Sequence, residues 1–358
     1  MAIEWLAGNR LRGTTAERPA LGLQSPSVGG WVEVGRTTLS GASTTIDVSS
    51  IPDKRYYMVL MDYTQTSDFS GLHRLGNSSI DTGNNYNNRQ SSNGGSDSTG
   101  QATWVRVDNG WQSGDRKLAV EYIANKSDKE KLIMNHMARS VTTGASQAPQ
   151  RSEVVSKWAN TSNVLDKFQM MNVSSGNFAS GSEVVVLGWD PSDSHTTNFW
   201  EELATHTQSS SGEATISFTA KKYIWIQYEI TALNPSATGL SIRFNSDSGS
   251  NYARRFSQEG GSDSTNTSQD KLSMIHSGGS NFFANMFIIN NASNEKLIIA
   301  HQVAKTSASG GASEVPRRWE ITGKWTNTSD QISSLTFIDT EQGSSGISKG
   351  NIKVWGSN

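Results

Sequence analysis

The residues most able to do chemistry in this chain come in matched pairs. Two glycine-rich segments reading GGSDST, residues 94–99 and 260–265, each carry one acid, Asp97 and Asp263. A carboxylate in such a turn can bind a hard cation. Calcium, however, takes about six to eight oxygen ligands, and one Asp with nearby hydroxyls and carbonyls falls short without a second acid. Asx-turn hydrogen bonding accounts for the same residues, so a turn is expected and no metal. Tyr86 with Arg89, matched by Tyr252 with Arg254 and Arg255, sets an aromatic ring beside a guanidinium fork. That combination can stack on a sugar or grip a carboxylate, and an Arg stem lying over a core Tyr uses the same residues for packing.

His136 and His301 close apolar runs in MNHMAR and IAHQVAK. Zinc needs about three or four N, S or O ligands, and the sequence neighbours are amides, Lys and Arg, so packed or edge histidines are expected. Glu130 and Glu295 recur beside Lys131 and Lys296, which reads as strand-end salt bridging. There is no His-Glu-x-x-His pair, no phosphate-binding loop and no Gly-x-Gly-x-x-Gly turn. No catalytic residue and no cofactor are therefore expected, and a glycosidase, whose two carboxylates leave no local motif, is the enzyme class hardest to exclude.

The elements that must position these pairs follow from a repeat. The segment Asn85-Tyr86-Asn87-Asn88-Arg89 with GGSDST returns as Asn251-Tyr252-Ala253-Arg254-Arg255 with GGSDST, 166 positions on. EKLI at 130–133 returns at 295–298, and GASQAPQRSEVVSKWANTS from Gly144 returns as GASEVPRRWEITGKWTNTS from Gly311. The closing VVVLG, ending at Gly188, matches IKVWG, ending at Gly356. Near-constant spacing of several blocks in one order marks a duplicated domain. The expected organisation is an N-terminal arm at 1–29, a first copy at 30–190, a polar linker at 191–197 and a second copy at 198–358.

Composition agrees. A length of 358 residues suits two domains. With 31 basic and 33 acidic residues and a net charge of -2, nothing suggests a surface that tracks phosphates, so nucleic acid is not expected as a partner. There are no cysteines, which removes disulfides and thiolate chemistry. No apolar stretch approaches a membrane span or a signal core, so no membrane partner is expected. Short β-branched and aromatic runs such as YYMVLM from Tyr56 and YIWIQYEI from Tyr223 are bounded by Gly, Ser, Asn and Asp. These predict an all-β fold, two tandem jelly-roll-like β-sandwiches. In YIWIQYEI the face of Ile224, Ile226, Tyr228 and Ile230 is expected inside, and Trp158 and Trp325 are expected over the cores with Lys157 and Lys324 outward.

The block from Arg243 to Ser268, together with NEKLIIAH and RRWEITGKWTNTSDQI of the second copy, resembles a repeated β-sandwich domain of virion structural proteins. These are decoration, spike or tail-fibre proteins of marine tailed phages and archaeal viruses. The leader from Trp5 to Arg18 resembles the short leaders of such proteins. The resemblance implies a structural protein on the particle surface, assembled in the host cytoplasm, forming a homo-oligomer with a trimer favoured. It further implies contact with host glycans and attachment to other virion proteins through the arm, by Trp5 and Leu6 flanked by Arg10, Arg12 and Arg18. A freestanding lectin-like module, using Trp104, Trp111 and Trp319 in loops, is the alternative, with a glycan-cleaving enzyme behind it.

Overall fold

The computed structural model describes residues 4–6, 10–12, 30–108, 113–172, 175–191, 193, 198–234, 237, 239–276, 281–305, 312, 315–339 and 346–358. Among these the secondary structure is all strand, with no helix. A short hairpin, β1 (Glu4–Leu6) and β2 (Arg10–Arg12), pairs Trp5 with Leu11 and Leu6 with Arg10 in register.

Two β-sandwiches follow. The large sheet of the first runs in the order β3 (Val32–Thr38), β15 (Glu183–Trp189), β5 (Tyr56–Thr64), β11 (Arg116–Ala124), β12 (Lys131–Arg139), β13 (Gln150–Trp158), β8 (Tyr86–Ser92), β9 (Ser98–Ala102). Its small sheet runs β10 (Val105–Arg106), β6 (Leu72–Asn77), β14 (Lys167–Met171), β4 (Thr45–Ser49), with β7 (Ser79–Ile80) folded back on β6. In the second copy the large sheet is β16 (Glu201–Gln208), β27 (Ile347–Ser357), β18 (Tyr223–Leu233), β23 (Phe282–Ile289), β24 (Lys296–Ala304), β25 (Arg317–Trp325), β20 (Tyr252–Gln258), β21 (Ser264–Gln269). The small sheet is β22 (Leu272–His276), β19 (Gly239–Phe244), β26 (Ser334–Asp339), β17 (Ala214–Ser217). The strand order is the same in both, and every ladder is antiparallel. In each copy the chain shuttles between the two sheets, as in a jelly roll.

Period-two alternation decides what each strand buries. On β18 the inner residues Ile224, Ile226, Tyr228 and Ile230 join one core, as expected. The equivalents Tyr57, Val59, Met61 and Tyr63 on β5 join the other. Trp158 and Trp325 are fully buried, and each indole Nε1 donates to an aspartate, Asp81 and Asp247, at 2.7 Å. A buried indole N–H needs such an acceptor.

The expected pairing of Glu130 with Lys131 and Glu295 with Lys296 is not what forms. Alternation turns each lysine inward, where Lys131 and Lys296 donate to backbone carbonyls and sit over the Trp158 and Trp325 rings at 5.6 and 5.4 Å. Glu130 pairs instead with Lys157 at 2.9 Å.

A third apolar cluster belongs to neither sandwich alone. It joins Leu60, Leu118, Val120 and Ala138 of the first large sheet to Tyr223, Trp225, Phe287, Leu297 and Ile299 of the second. The outer faces of the two large sheets therefore pack on one another, and Tyr223 and Trp225, the outward aromatics of YIWIQYEI, find their partners there.

Candidate functional site

The seam between the copies brings the singled-out pairs together. His136 on β12 lies opposite Glu153 on β13, and His301 on β24 lies opposite Glu320 on β25. These cross-strand pairs occupy the same place in each sheet, and the two imidazole rings meet edge to face at 4.3 Å. Arg151, two residues from Glu153 on the same face, contacts Glu153 directly and donates to Glu320 at 3.0 Å. The same guanidinium holds Asp263 with three hydrogen bonds of 2.8 to 3.1 Å.

Asp263 is thus the anchor of an ion pair between copies, whereas Asp97 is exposed and pairs with Arg89 at 3.1 Å. The turn expected at Asp97 and Asp263 is present, but what occupies both carboxylates is arginine. Gly94, with φ +70°, packs where any Cβ would meet the Asp263 backbone nitrogen at 2.8 Å, so this turn also serves the seam.

His136, Glu153 and His301 bring ligand atoms within 4.8 Å of one another, a donor set that zinc accepts. The Arg151 guanidinium already supplies the positive charge that the converging carboxylates require, and the group is read as an ion-paired seam. Around it, Tyr223 donates to Glu183 at 2.7 Å and Lys222 to the same oxygen at 2.8 Å. Lys324, expected outward into solvent, is covered by the first copy and donates to the Ser140 and Thr142 carbonyls at 3.1 and 2.7 Å. Arg255 Nε donates to the Pro149 carbonyl at 3.0 Å.

Burial, then the charge of His301, pushes His136 down to about 3. Burial, then Arg151 and Arg318, pushes His301 to about 4. Burial would raise Glu183, yet hydrogen bonds from Lys222, Thr38 and Tyr223 outweigh it and hold the group at about 2. Burial lifts Glu153 to about 7 against the pull of Arg151, and Glu320 adds to the rise.

The signs differ. Both histidines stabilise the fold fully above their unfolded value of 6.5 and lose that contribution as pH falls toward 3 to 4. Glu183 stabilises above 4.5 and loses its contribution toward 2. Glu153 acts oppositely, stabilising below 4.5 and fading as pH rises through about 7. Acid is expected to win, costing on the order of 3 kcal/mol between neutral pH and pH 4. Thermal unfolding across that range checks it: the melting temperature should fall steeply in the wild type and less in a His136→Gln/His301→Gln variant.

Only half of each sheet face is used. The strand register makes Leu132, Met134 and Val155 the equivalents of Leu297, Ile299 and Thr322. In the first copy these three are 60, 45 and 50% exposed, and in the second 0, 3 and 3%. The reverse holds beyond the histidines, where Phe283 and Val303 are 46 and 45% exposed while their equivalents Leu118 and Ala138 are 1 and 0%. Beside Leu132 and Met134 lies a cleft of about 380 Å³, also lined by Trp31, Tyr56, Tyr122 and Trp189. Tyr56 and Trp189 stack there at 5.4 Å.

The Tyr and Arg pairs do not converge on a ligand. Tyr86 and Tyr252 point inward and donate to the Leu75 and Phe244 carbonyls, while Arg89 and Arg255 lie on the outer face. Neighbours at odd spacing on a strand face opposite ways, so neither the sugar grip nor the Arg-over-Tyr packing forms. Arg254 is buried over Phe256 at 4.1 Å. Trp319, expected in a loop, is a core residue of β25. Trp104 flanks a polar depression with Asn88, Gln101 and Arg106, and Trp111 lies outside the described residues. In the arm, Trp5, Leu6, Arg10 and Arg12 lie on the β1–β2 hairpin, and Arg18 is outside the described residues.

The expectation that the chain has no Gly-x-Ser-x-Gly elbow needs a correction at the level of spacing. Gly346-Ile347-Ser348-Lys349-Gly350 has the Gly-x-Ser-x-Gly spacing of a hydrolase elbow. It runs into strand β27 rather than turning into a helix, and Ser348 hydrogen-bonds Ser211 at 2.7 Å, with no histidine bonded to it among the described residues.

No protein-family model matches the chain, and no curated protein matches it. Among solved structures it is similar to domains LG4-5 of the mouse laminin alpha1 chain, at 8% identity over 91% of this chain and 89% of that one, with a TM-score of 0.18. Human GIVD cytosolic phospholipase A2 follows at 7% identity over 76% of this chain and 33% of that one, with a TM-score of 0.12.

Proposed function

We propose that this chain is a structural subunit of a virus particle surface, acting by assembly rather than catalysis. The observation that carries the reading is the open half-face of the first large sheet. Leu132 and Met134 stand exposed beside the Trp31, Tyr56 and Trp189 cluster, and exposed Val155 lies opposite Met134 on the next strand. A contiguous apolar patch of this kind belongs to a protein interface, and a subunit built into a larger body keeps it covered. The virion part of the proposal is supported by the resemblance of the second copy's sequence, Arg243 to Ser268 above all, to virion structural domains. The attachment arm, carrying Trp5, Leu6 and three arginines, is the element proposed to hold the chain to other virion proteins.

Immunogold electron microscopy of purified particles, with an antibody to this chain, tests the reading. Label on the shell, vertices or tail is expected. Absence of label from particles while the protein is abundant in the lysate overturns it.

A glycan-binding role is the second reading, favoured by the stacked Tyr56 and Trp189 rings, which offer a flat apolar platform to a sugar. The cleft lining is almost wholly apolar, and sugar sites need polar groups beside the ring. A glycan array with no hits removes this reading and leaves the structural one standing.

A further inference from the structure

The first copy hides in its core a polar group that the second does without. On β11, Lys117 lies across from Tyr63 of β5 in register, and Gln65 follows two residues beyond Tyr63 on the same side of the chain. In the second copy the positions of Tyr63 and Lys117 are held by Ile230 and Phe282, likewise paired, and both belong to the apolar core. Lys117 is 0% exposed and Gln65 1%. Lysine is rarely buried so completely unless an acid is bound to it. Here its partner is neutral: Nζ donates to Gln65 Oε1 and lies over the Tyr63 ring at 5.4 Å.

The amide is held as firmly as the amine. Gln65 Nε2 donates to the Phe69 carbonyl at 2.6 Å, which decides which end of the carboxamide faces the lysine. The Gln65 backbone is tied by a bridge to Phe178 and by a hydrogen bond from Gly114 N at 2.8 Å. Tyr63, Phe69 and Phe178 pack edge to face beside it, with ring centroids 5.2 to 5.8 Å apart, and all three are buried. Amine and carbonyl therefore meet out of reach of solvent.

The surroundings favour a free amine. Burial lowers the Lys117 pKa to about 8 against the pull of Asp108, the largest of the charges acting on it, so the uncharged nucleophile is accessible near neutral pH. The Tyr63 hydroxyl donates to Asp108 Oδ2 at 2.6 Å. Burial, then that carboxylate, pushes Tyr63 well above its usual range, so it stays a donor and keeps Asp108 in place.

We propose that Lys117 and Gln65 condense into an amide cross-link between β11 and the end of β5, a modification that the folded chain makes on itself. This goes beyond the assembly reading and does not rest on it.

The step balances without an oxidant or co-reactant. The Lys117 ammonium gives up one proton, and the Nζ lone pair attacks Gln65 Cδ. The new C–N bond forms as the carbonyl pair moves to Oε1. That pair returns as the Cδ–Nε2 bond breaks, and the leaving nitrogen takes one proton from Nζ together with the proton first given up, departing as ammonium. One amide replaces another, so the barrier is met by placement. Groups fixed in this way reach effective concentrations on the order of 10⁵ M or more.

The bond closes a ring of chain that carries β6 to β10, strands of both sheets of the first sandwich. A chain with no cysteines gains by it the restraint on the unfolded state that a disulfide supplies elsewhere.

Mass spectrometry of the purified, denatured full chain tests this. The mass is expected to fall short of the sequence value by one ammonia, and trypsin should yield residues 56–74 joined to residues 117–126, with no cleavage after Lys117. Lys117→Met should show its full sequence mass; if that variant does not fold, the wild-type peptide map decides alone. An unlinked wild type overturns the proposal, as does a deficit that maps to another residue, such as a cyclised asparagine, or that persists in Lys117→Met. The virion reading fails separately: a cross-linked chain found on no particle keeps the bond and removes the virion. Particle label on an unlinked chain does the opposite.

Discussion

Arg151→Ala is expected to cost about 3–5 kcal/mol and to part the two sandwiches before either unfolds. The substitution takes three hydrogen bonds from Asp263, whose side chain is 2% exposed, and leaves it the more distant Arg255 at 3.8 Å. It also removes the cation between Glu153 and Glu320, leaving the exposed Arg318, 3.5 Å from Glu320, as their neighbour. Removing one partner of a buried ion pair leaves an uncompensated charge, and that penalty far exceeds the net worth of the pair. Calorimetry should turn one transition into two, and the tryptophan fluorescence of the seam, where Trp200 and Trp225 lie, should report the first. The control is Arg318→Ala. This equivalent arginine is exposed and sits 3.5 Å from Glu320, so its loss should cost less than about 1 kcal/mol. Similar losses for both variants would show that the seam is not held as described.

The second large effect is expected in the cores. Trp158→Ala and Trp325→Ala should each cost about 3–5 kcal/mol, the range for emptying a large buried aromatic site. Each also leaves a carboxylate, Asp81 or Asp247, without its indole donor. Denaturant unfolding followed by tyrosine and tryptophan signals should show each variant weakening its own sandwich first. Trp→Phe at either position keeps a six-membered ring and loses the N–H with the five-membered ring that carries it, so it should be a milder change than alanine. Equal damage from the two alanine variants is expected because the surroundings are duplicated, down to the stacked Tyr86 and Tyr252 rings at 6.4 and 6.5 Å.

The fold was legible where strands are buried on both faces. β5, β11, β18, β23 and β24 read as apolar runs because the core lies on one side of them and the other sandwich on the other. β8, β9 and β21, with sequences YNNRQSS, STGQA and STNTSQ, sit at one end of their sheets. Little of their surface is covered, so nothing apolar marks them. The seam was legible only in pieces. His136, His301, Asp263 and Arg255 were singled out as pairs within the repeat, but a pair of equivalents says nothing about which member is covered. Leu132 and Leu297 are the same residue type in the same motif, and one lies at 60% exposure and the other at 0%. That difference comes from how two whole sheets lean together, a relation between positions 165 apart that no local pattern encodes. The Tyr and Arg pairs mislead for a simpler reason: adjacency in sequence says nothing about a shared face until strand alternation assigns the faces.

The way each sandwich closes has a consequence for synthesis. β15 lies between β3 and β5, and β27 lies between β16 and β18, so in both copies the last strand made fills a slot between strands made long before. While the nascent chain emerges, the meander β11–β12–β13 can zip locally, but β3 and β5 must wait with bare edges until residue 189 has left the ribosome. Long-range closure of this sort is slow. The waiting slots in the two copies are built to the same plan, and their fillers, VVVLG and IKVWG, are similar enough to trespass. A first copy that seals before β27 appears removes the competitor, so vectorial synthesis keeps the two strands in their own sheets. Refolding from denaturant gives both slots and both fillers at once, and strand exchange between copies is the misfolded product to look for there.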